Sequence, residues 1–211
     1  MIKAIFWDND GVLVDTERLY FESTRQVLAS VGIILAQQLF IELFLVKAQG
    51  AWHLAKAEGL SEEQVELLRK ERNALYSKML SSERLILPNV SDVISTLYGR
   101  YKMFVVTSSR KEHFDVIHRS TGLLKYFDFI FTGEDYEKHK PDPEPYLVAI
   151  KRSGFRKEEC LAIEDSERGL VSAKGAGLLC YVIPTALTQG SNFSLADKVL
   201  QNIKDVELEL S

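Results

Sequence analysis

Short, unbroken apolar runs punctuate the chain. They are Ala4-Ile5-Phe6-Trp7, Met103-Phe104-Val105-Val106, Phe129-Ile130-Phe131, Cys160-Leu161-Ala162-Ile163 and Cys180-Tyr181-Val182-Ile183, with a weaker one at Lys198-Val199-Leu200. None alternates apolar with polar, so each predicts a strand covered on both faces. Helix-like segments separate them, which predicts an α/β fold with a parallel sheet between layers of helices. Helix starts and stops fit this plan. Ser61 with Gln64 and Ser109 with Glu112 read as capping boxes. Asp142-Pro143 reads as an N-cap followed by a proline at the first helical position, and Gly175 and Gly177 stop a helix that begins near Ser166.

One stretch breaks the alternation. From Glu17 to Leu85 no strand pattern occurs, while Tyr20, Thr24, Val27 and Val31 share one helical face and Val65, Leu68, Leu75 and Met79 another. The first and second strands lie far further apart than a crossover helix requires. The expected organisation is a core of residues 1–16 and 86–211 with a helical subdomain, 17–85, inserted after the first strand. The charged run at 62–72 reads as a solvated helix face, with Glu66 and Lys70 one turn apart.

Composition adds exclusions. The 211 residues are 46% hydrophobic and 27% charged, ample apolar surface to order a domain. A net charge of −4 argues against a nucleic-acid partner. The uncharged stretch Gln26 to Ile41 is shorter than the roughly 20 apolar residues of a membrane span, and the longer uncharged stretch Gly175 to Ala196 is interrupted by Pro184, Gly190 and a run of polar residues. The N-terminus lacks the apolar segment of a signal peptide. Cys160 and Cys180 are too few for a disulfide framework and sit in apolar runs, as reduced core thiols do. These features predict a cytoplasmic protein with no membrane or nucleic-acid partner; a monomer is expected, although no sequence feature sets the oligomeric state.

Candidate chemistry collects at predicted strand ends. Asp8-Asn9-Asp10-Gly11-Val12 follows the first strand, and its two carboxylates repel unless a cation sits between them. One can serve as nucleophile and metal ligand and the other transfer protons, with Gly11 allowing a sharp turn. An Asx turn or N-cap would also explain the pair. Thr107-Ser108-Ser109 follows the second strand, where hydroxyls and amides can hold an anion or simply cap a helix. Lys140 precedes a proline-stiffened helix start and can neutralise a phosphoryl group, or be a surface lysine. Glu164-Asp165-Ser166 ends the Cys160–Ile163 run, where acids suit a hard cation, although Asp165 or Ser166 can also be a cap. In a parallel sheet all these ends share one edge. Acids, hydroxyls, a lysine and a cation in one pocket suit phosphoryl transfer through an aspartyl phosphate assisted by magnesium.

With these motifs in this order, the sequence resembles the haloacid dehalogenase superfamily, in its magnesium-dependent phosphatase and β-phosphoglucomutase-like branch. Asp8-Asn9-Asp10-Gly11-Val12 matches the first motif, Thr107 the second, Lys140-Pro141-Asp142-Pro143 the third, and Glu164-Asp165-Ser166 with Gly169 the fourth. The match covers about 1–16 and 86–200. The resemblance implies a Rossmann-like core with an inserted helical cap, and a Mg²⁺ cofactor. It implies Asp8 as the nucleophile that becomes phosphorylated and Asp10 as the acid and base. It implies Mg²⁺ held by Asp8, the Asp10 backbone carbonyl and Asp165, with Glu164 assisting. Thr107, Lys140 and the amides near Gly11 and Ser108 would hold the phosphoryl group. The expected substrate is a small phosphorylated metabolite, a sugar phosphate by the Glu164-Asp165 form of the fourth motif.

Departures bear on the activity. The mutases of this branch place a histidine near Tyr20 and an arginine in the cap, and no arginine occurs between Arg25 and Arg69. Lys47 or Lys56 would have to grip a second phosphate instead. Hydrolase is therefore preferred over phosphomutase. Cap candidates for substrate contact are Tyr20, Lys47, Gln49, Trp52 and His53. Two further readings are a receiver-like phosphoacceptor module, which would be shorter and lack the insert, and a catalytically idle binding relative.

Overall fold

The computed structural model describes residues 1–210. Among these, six parallel strands form one sheet in the order β3-β2-β1-β4-β5-β6. They are β1 (Ala4–Trp7), β2 (Lys102–Val106), β3 (Phe129–Phe131), β4 (Cys160–Glu164), β5 (Leu179–Val182) and β6 (Lys198–Val199). Every residue of β1 and β4 is buried, as continuous apolar runs require. The chain moves outward from β1 through β2 to β3, then returns to β4 on the other flank of β1. That reversal is where open parallel sheets bind ligands. Register aligns Trp7 with Val105 and Ile163, so the residues after β1, β2 and β4 emerge at one edge.

The helices are α1 (Glu17–Ala29), α2 (Gln37–Phe40), α3 (Trp52–Ala57), α4 (Glu62–Ser82), α5 (Val90–Leu97), α6 (Lys111–His118), α7 (Glu144–Ser153), α8 (Glu167–Gly175) and α9 (Lys204–Glu209). On one sheet face Phe6, Phe104, Val106, Phe131, Ala162 and Val182 pack with Tyr146 and Ala149 of α7 and Leu170 and Ala173 of α8. Cys160 and Cys180 lie in that core as free thiols, with burial holding both above the usual thiol range.

The chain falls into two compact units, of which Thr16–Arg84 is one and the remainder the other. The Thr16–Arg84 unit contains α1 to α4, with α2 running into a π-helical turn at Ile41–Val46, and no strand. The Ser61–Gln64 capping box starts α4, with Ser61 Oγ accepting from the Gln64 amide at 3.3 Å. The buried stripe of α4 is Val65, Leu68, Arg72, Tyr76 and Leu80. This corrects two sequence expectations. Leu75 and Met79 are only half-buried, and the 62–72 run is not wholly solvated, because Arg72 turns inward. Its guanidinium lies 4.2 Å from the Tyr20 ring centre and 5.6 Å from that of Trp52, and it donates to Asn73 Oδ1 at 3.0 Å and Thr24 Oγ1 at 3.5 Å. Aromatic faces and neutral oxygens replace the water that a buried guanidinium loses.

Two caps also differ from expectation. α6 begins at Lys111 with Arg110 at its N-cap, so Ser109 caps nothing. α7 begins one residue late, at Glu144, while Asp142 still accepts from the Glu144 amide at 3.0 Å.

Candidate active site

Asp8 continues the line of β1, its amide donating to Ile163 O at 2.9 Å. The chain then turns. Asn9 O accepts from the amides of Leu13 (2.9 Å) and Val14 (3.1 Å), and Gly11 N donates to Val14 O at 2.8 Å. Gly11 has φ +87°, and a Cβ there would collide with the Asp165 carboxylate. Glycine is needed both for the left-handed turn and for the close approach of the two loops.

Lys140 joins the acids. Its side chain is 3% exposed, and Nζ donates to Asp8 Oδ1 at 2.6 Å, Glu164 Oε1 at 2.7 Å and Val106 O at 2.8 Å. The Tyr146 hydroxyl donates to the same Glu164 oxygen at 2.5 Å. Gly169, in the first turn of α8, leaves room for that carboxylate, since a Cβ there would strike it. Asp10 is held separately: Thr107 Oγ1 donates to its Oδ2 at 3.0 Å and Ser109 Oγ to the same atom at 2.8 Å. The Ser109 amide in turn donates to Thr107 Oγ1 at 3.0 Å, and Tyr136 OH donates to Thr107 O at 2.5 Å. Ser108 stands between them in the loop, half-buried.

The electrostatics leave a deficit of positive charge. Burial pushes the Asp8 carboxyl up to about 7; Glu164 and Asp10 push the same way and Lys140 opposes them. For Lys140, burial alone would lower the pKa, but Asp8 and Glu164 outweigh it, so the ammonium stays charged. Asp8, Glu164 and Asp165 each present an oxygen within 4.8 Å of the others. Glu164 Oε2 is buried and accepts no hydrogen bond within the described residues. A buried carboxylate oxygen left in this way is costly unless something binds it. An all-oxygen donor set with surplus negative charge fits a hard divalent cation such as Mg²⁺.

Thus the sequence-derived candidates Asp8, Asp10, Gly11, Thr107, Ser108, Lys140, Glu164 and Asp165 lie at one sheet edge. Tyr146 and Tyr136 join them without a sequence signal, and Ser109, which the sequence offers as an anion donor or a helix cap, instead holds Asp10. In the helical unit Tyr20 and Trp52 meet Arg72, whereas Gln49 and His53 are exposed. Lys47 pairs with Glu42 and Lys56 with Glu62, each at 2.5 Å. Removing one donor to Asp10 should show directly. Ser109→Ala is expected to lower kcat about tenfold and the melting temperature by a few degrees, since a folded-state hydrogen bond to a charged group contributes about 1.5–3 kcal/mol. Steady-state turnover beside a thermal melt checks this.

Comparison with known proteins agrees with the geometry. Residues 5–183 match the model of the haloacid dehalogenase-like hydrolase family. The YhcW protein of Bacillus subtilis is 31% identical over 215 residues, covering 100% of this chain and 96% of its own. A phosphorylated carbohydrates phosphatase of Thermotoga maritima is 30% identical over 182 residues, covering 84% of this chain and 82% of its own. The crystal structure of CbbY from Rhodobacter sphaeroides superposes with a TM-score of 0.83 at 24% identity, over 98% of this chain and 96% of that one. The chain belongs to the haloacid dehalogenase-like hydrolase family.

Proposed function

We propose that the protein is a Mg²⁺-dependent phosphatase that hydrolyses a small phosphorylated metabolite, a sugar phosphate, through a phosphoaspartate on Asp8. The observation that carries this is the Lys140 ammonium bridging Asp8 and Glu164 at 2.6 and 2.7 Å beside Asp165. It fixes one carboxylate for attack amid donors suited to an anion. Relatives such as the Thermotoga maritima phosphatase of phosphorylated carbohydrates support the substrate class.

In this reading Asp8 attacks phosphorus in line with the leaving oxygen. Asp10 protonates that oxygen, then takes a proton from the water that hydrolyses the acyl phosphate. The Thr107 and Ser109 hydroxyls grip Asp10 Oδ2 and so orient the carboxyl that carries the proton. Lys140 and amides of the Gly11 and Ser108 loops face the charge that develops on the phosphoryl oxygens, and the Thr107 hydroxyl joins them when it turns from Asp10. The metal, held by Asp8, Asp165 and the Asp10 carbonyl with Glu164 assisting, would neutralise that same charge. Residues 1–16 and 86–211 form the catalytic core, and 17–85 is a cap that excludes water and selects substrate. No helix of the described residues is long and apolar enough to cross a membrane. The free, buried cysteines support a cytoplasmic enzyme, which we take to be monomeric.

The test is phosphate release from sugar, nucleotide and small-acid phosphates, with Mg²⁺ and with chelator. Release that needs Mg²⁺ and favours sugar phosphates is expected; parity across classes would remove the substrate assignment. Metal binding has its own readout. Mg²⁺ at a hundred times its dissociation constant should stabilise the protein by about 2.7 kcal/mol, seen as a rise in melting temperature. Asp165→Asn should abolish that rise.

A further inference from the structure

The residue between the two catalytic aspartates is itself anchored. Asn9 is fully buried, and its Oδ1 lies 2.7 Å from His118 Nε2. His118 ends α6, is 4% exposed, and packs its ring 4.3 Å from that of Phe114. Its other nitrogen, Nδ1, lies 3.0 Å from Thr121 Oγ1, which accepts from the Leu123 amide at 3.3 Å. With Asn9 Oδ1 as the acceptor, Nε2–H donates to it and the neutral ring leaves Nδ1 to accept from the Thr121 hydroxyl, which also lies 3.4 Å from His118 O as an alternative acceptor.

A polar pair in this position needs a reason, because two apolar side chains would fill the space without polar groups to satisfy. Asn9 Nδ2 has no partner within the described residues, so the imidazole is the side chain's anchor. The Asn9 backbone carbonyl receives both amides that close the turn. Fixing Asn9 therefore fixes the turn, and with it the directions of the side chains on either side. The imidazole adds no charge, since burial holds its pKa down at about 4 against the opposing pull of Asp10.

We propose that His118 is a positioning residue for phosphoryl transfer: through the Asn9 amide it holds the Asp8–Asp10 turn in register and so aims both carboxylates. This deepens the phosphatase reading and rests on it. Small errors of aim are expensive, since a misplacement of about 1 Å can cost on the order of a hundredfold in rate. The Gly11 amide shares this turn, but Lys140 and Thr107 stand on other loops, so most of the cost falls on turnover.

The test uses p-nitrophenyl phosphate with Mg²⁺, well below the melting temperature of each variant. His118→Leu, which cannot donate, is expected to lower kcat by about 10- to 100-fold while KM moves less than about threefold. His118→Gln, whose amide can still donate to Asn9, should recover most of that loss. The pair Asn9→Leu with His118→Leu leaves no unpaired polar atom; it should melt near the parent yet keep the low kcat. Should His118→Leu not fold, the double variant decides. Nitrogen-15 spectra of the parent should show a neutral imidazole protonated at Nε2. Parental kcat in folded His118→Leu or in the double variant would overturn the proposal, as would an imidazole protonated at Nδ1. An active parent with indifferent variants removes only the positioning role. A parent that releases no phosphate from any ester removes both readings.

Discussion

Under the proposed mechanism, Asp8→Asn is expected to release phosphate at least about 10⁴-fold more slowly than the parent, because an amide cannot serve as the attacking carboxylate. The same substitution should leave the metal-free protein as stable as the parent, or more so. Asp8 is buried with Glu164 and Asp10 nearby, and its pKa rises from 3.8 to about 7. A carboxyl whose pKa is raised on folding binds its proton more tightly in the native state. Its contribution to stability is therefore present at low pH and is lost as pH climbs from about 4 through about 7. Melting curves taken in chelator across that range should fall for the parent and flatten for Asp8→Asn. A variant that kept its turnover would show that the nucleophile lies elsewhere.

Lys140→Met carries the second large effect, on stability and rate together. The ammonium is shared by Asp8, Glu164 and the Val106 carbonyl inside the protein. Its loss leaves buried carboxylates facing one another, at a cost of about 3–5 kcal/mol. Turnover should drop about 10³-fold, as when a preorganised donor to a developing oxyanion is deleted. Lys140→Arg should rescue neither quantity well, because a planar guanidinium cannot place three donors around one compact point. Denaturant unfolding together with kcat separates the two losses, and a folded, stable Lys140→Met protein would contradict the bridging role.

Much of the sheet was legible because buried strands have a simple signature. Cys160–Glu164 lies wholly inside, and an unbroken apolar run admits few other readings. Strand-end chemistry was legible for a geometric reason: parallel strands deliver their carboxyl ends to one edge, whatever the distances along the chain. What escaped notice depended on tertiary partners. Ser109 looked like a helix cap because a hydroxyl at a strand–helix junction satisfies an amide as readily as a carboxylate; its actual acceptor, Asp10, is 99 residues away. Arg72 looked solvated because charged neighbours surround it in sequence, while its burial depends on the rings of Tyr20 and Trp52. Asn9 looked like a spacer between two acids, and its imidazole partner lies 109 positions on.

The backbone at the borders of the helical unit has a last consequence. Asp15 N donates to Leu85 O at 2.8 Å, and Val14 pairs with Ile86 in an antiparallel bridge. The polypeptide thus exits and re-enters through a single latched doorway. Whatever is threaded between those posts can lengthen, shorten or be exchanged wholesale while the hinge-side frame keeps its shape. Changes of length or sequence within that segment can therefore leave the turn carrying Asp8 and Asp10 undisturbed.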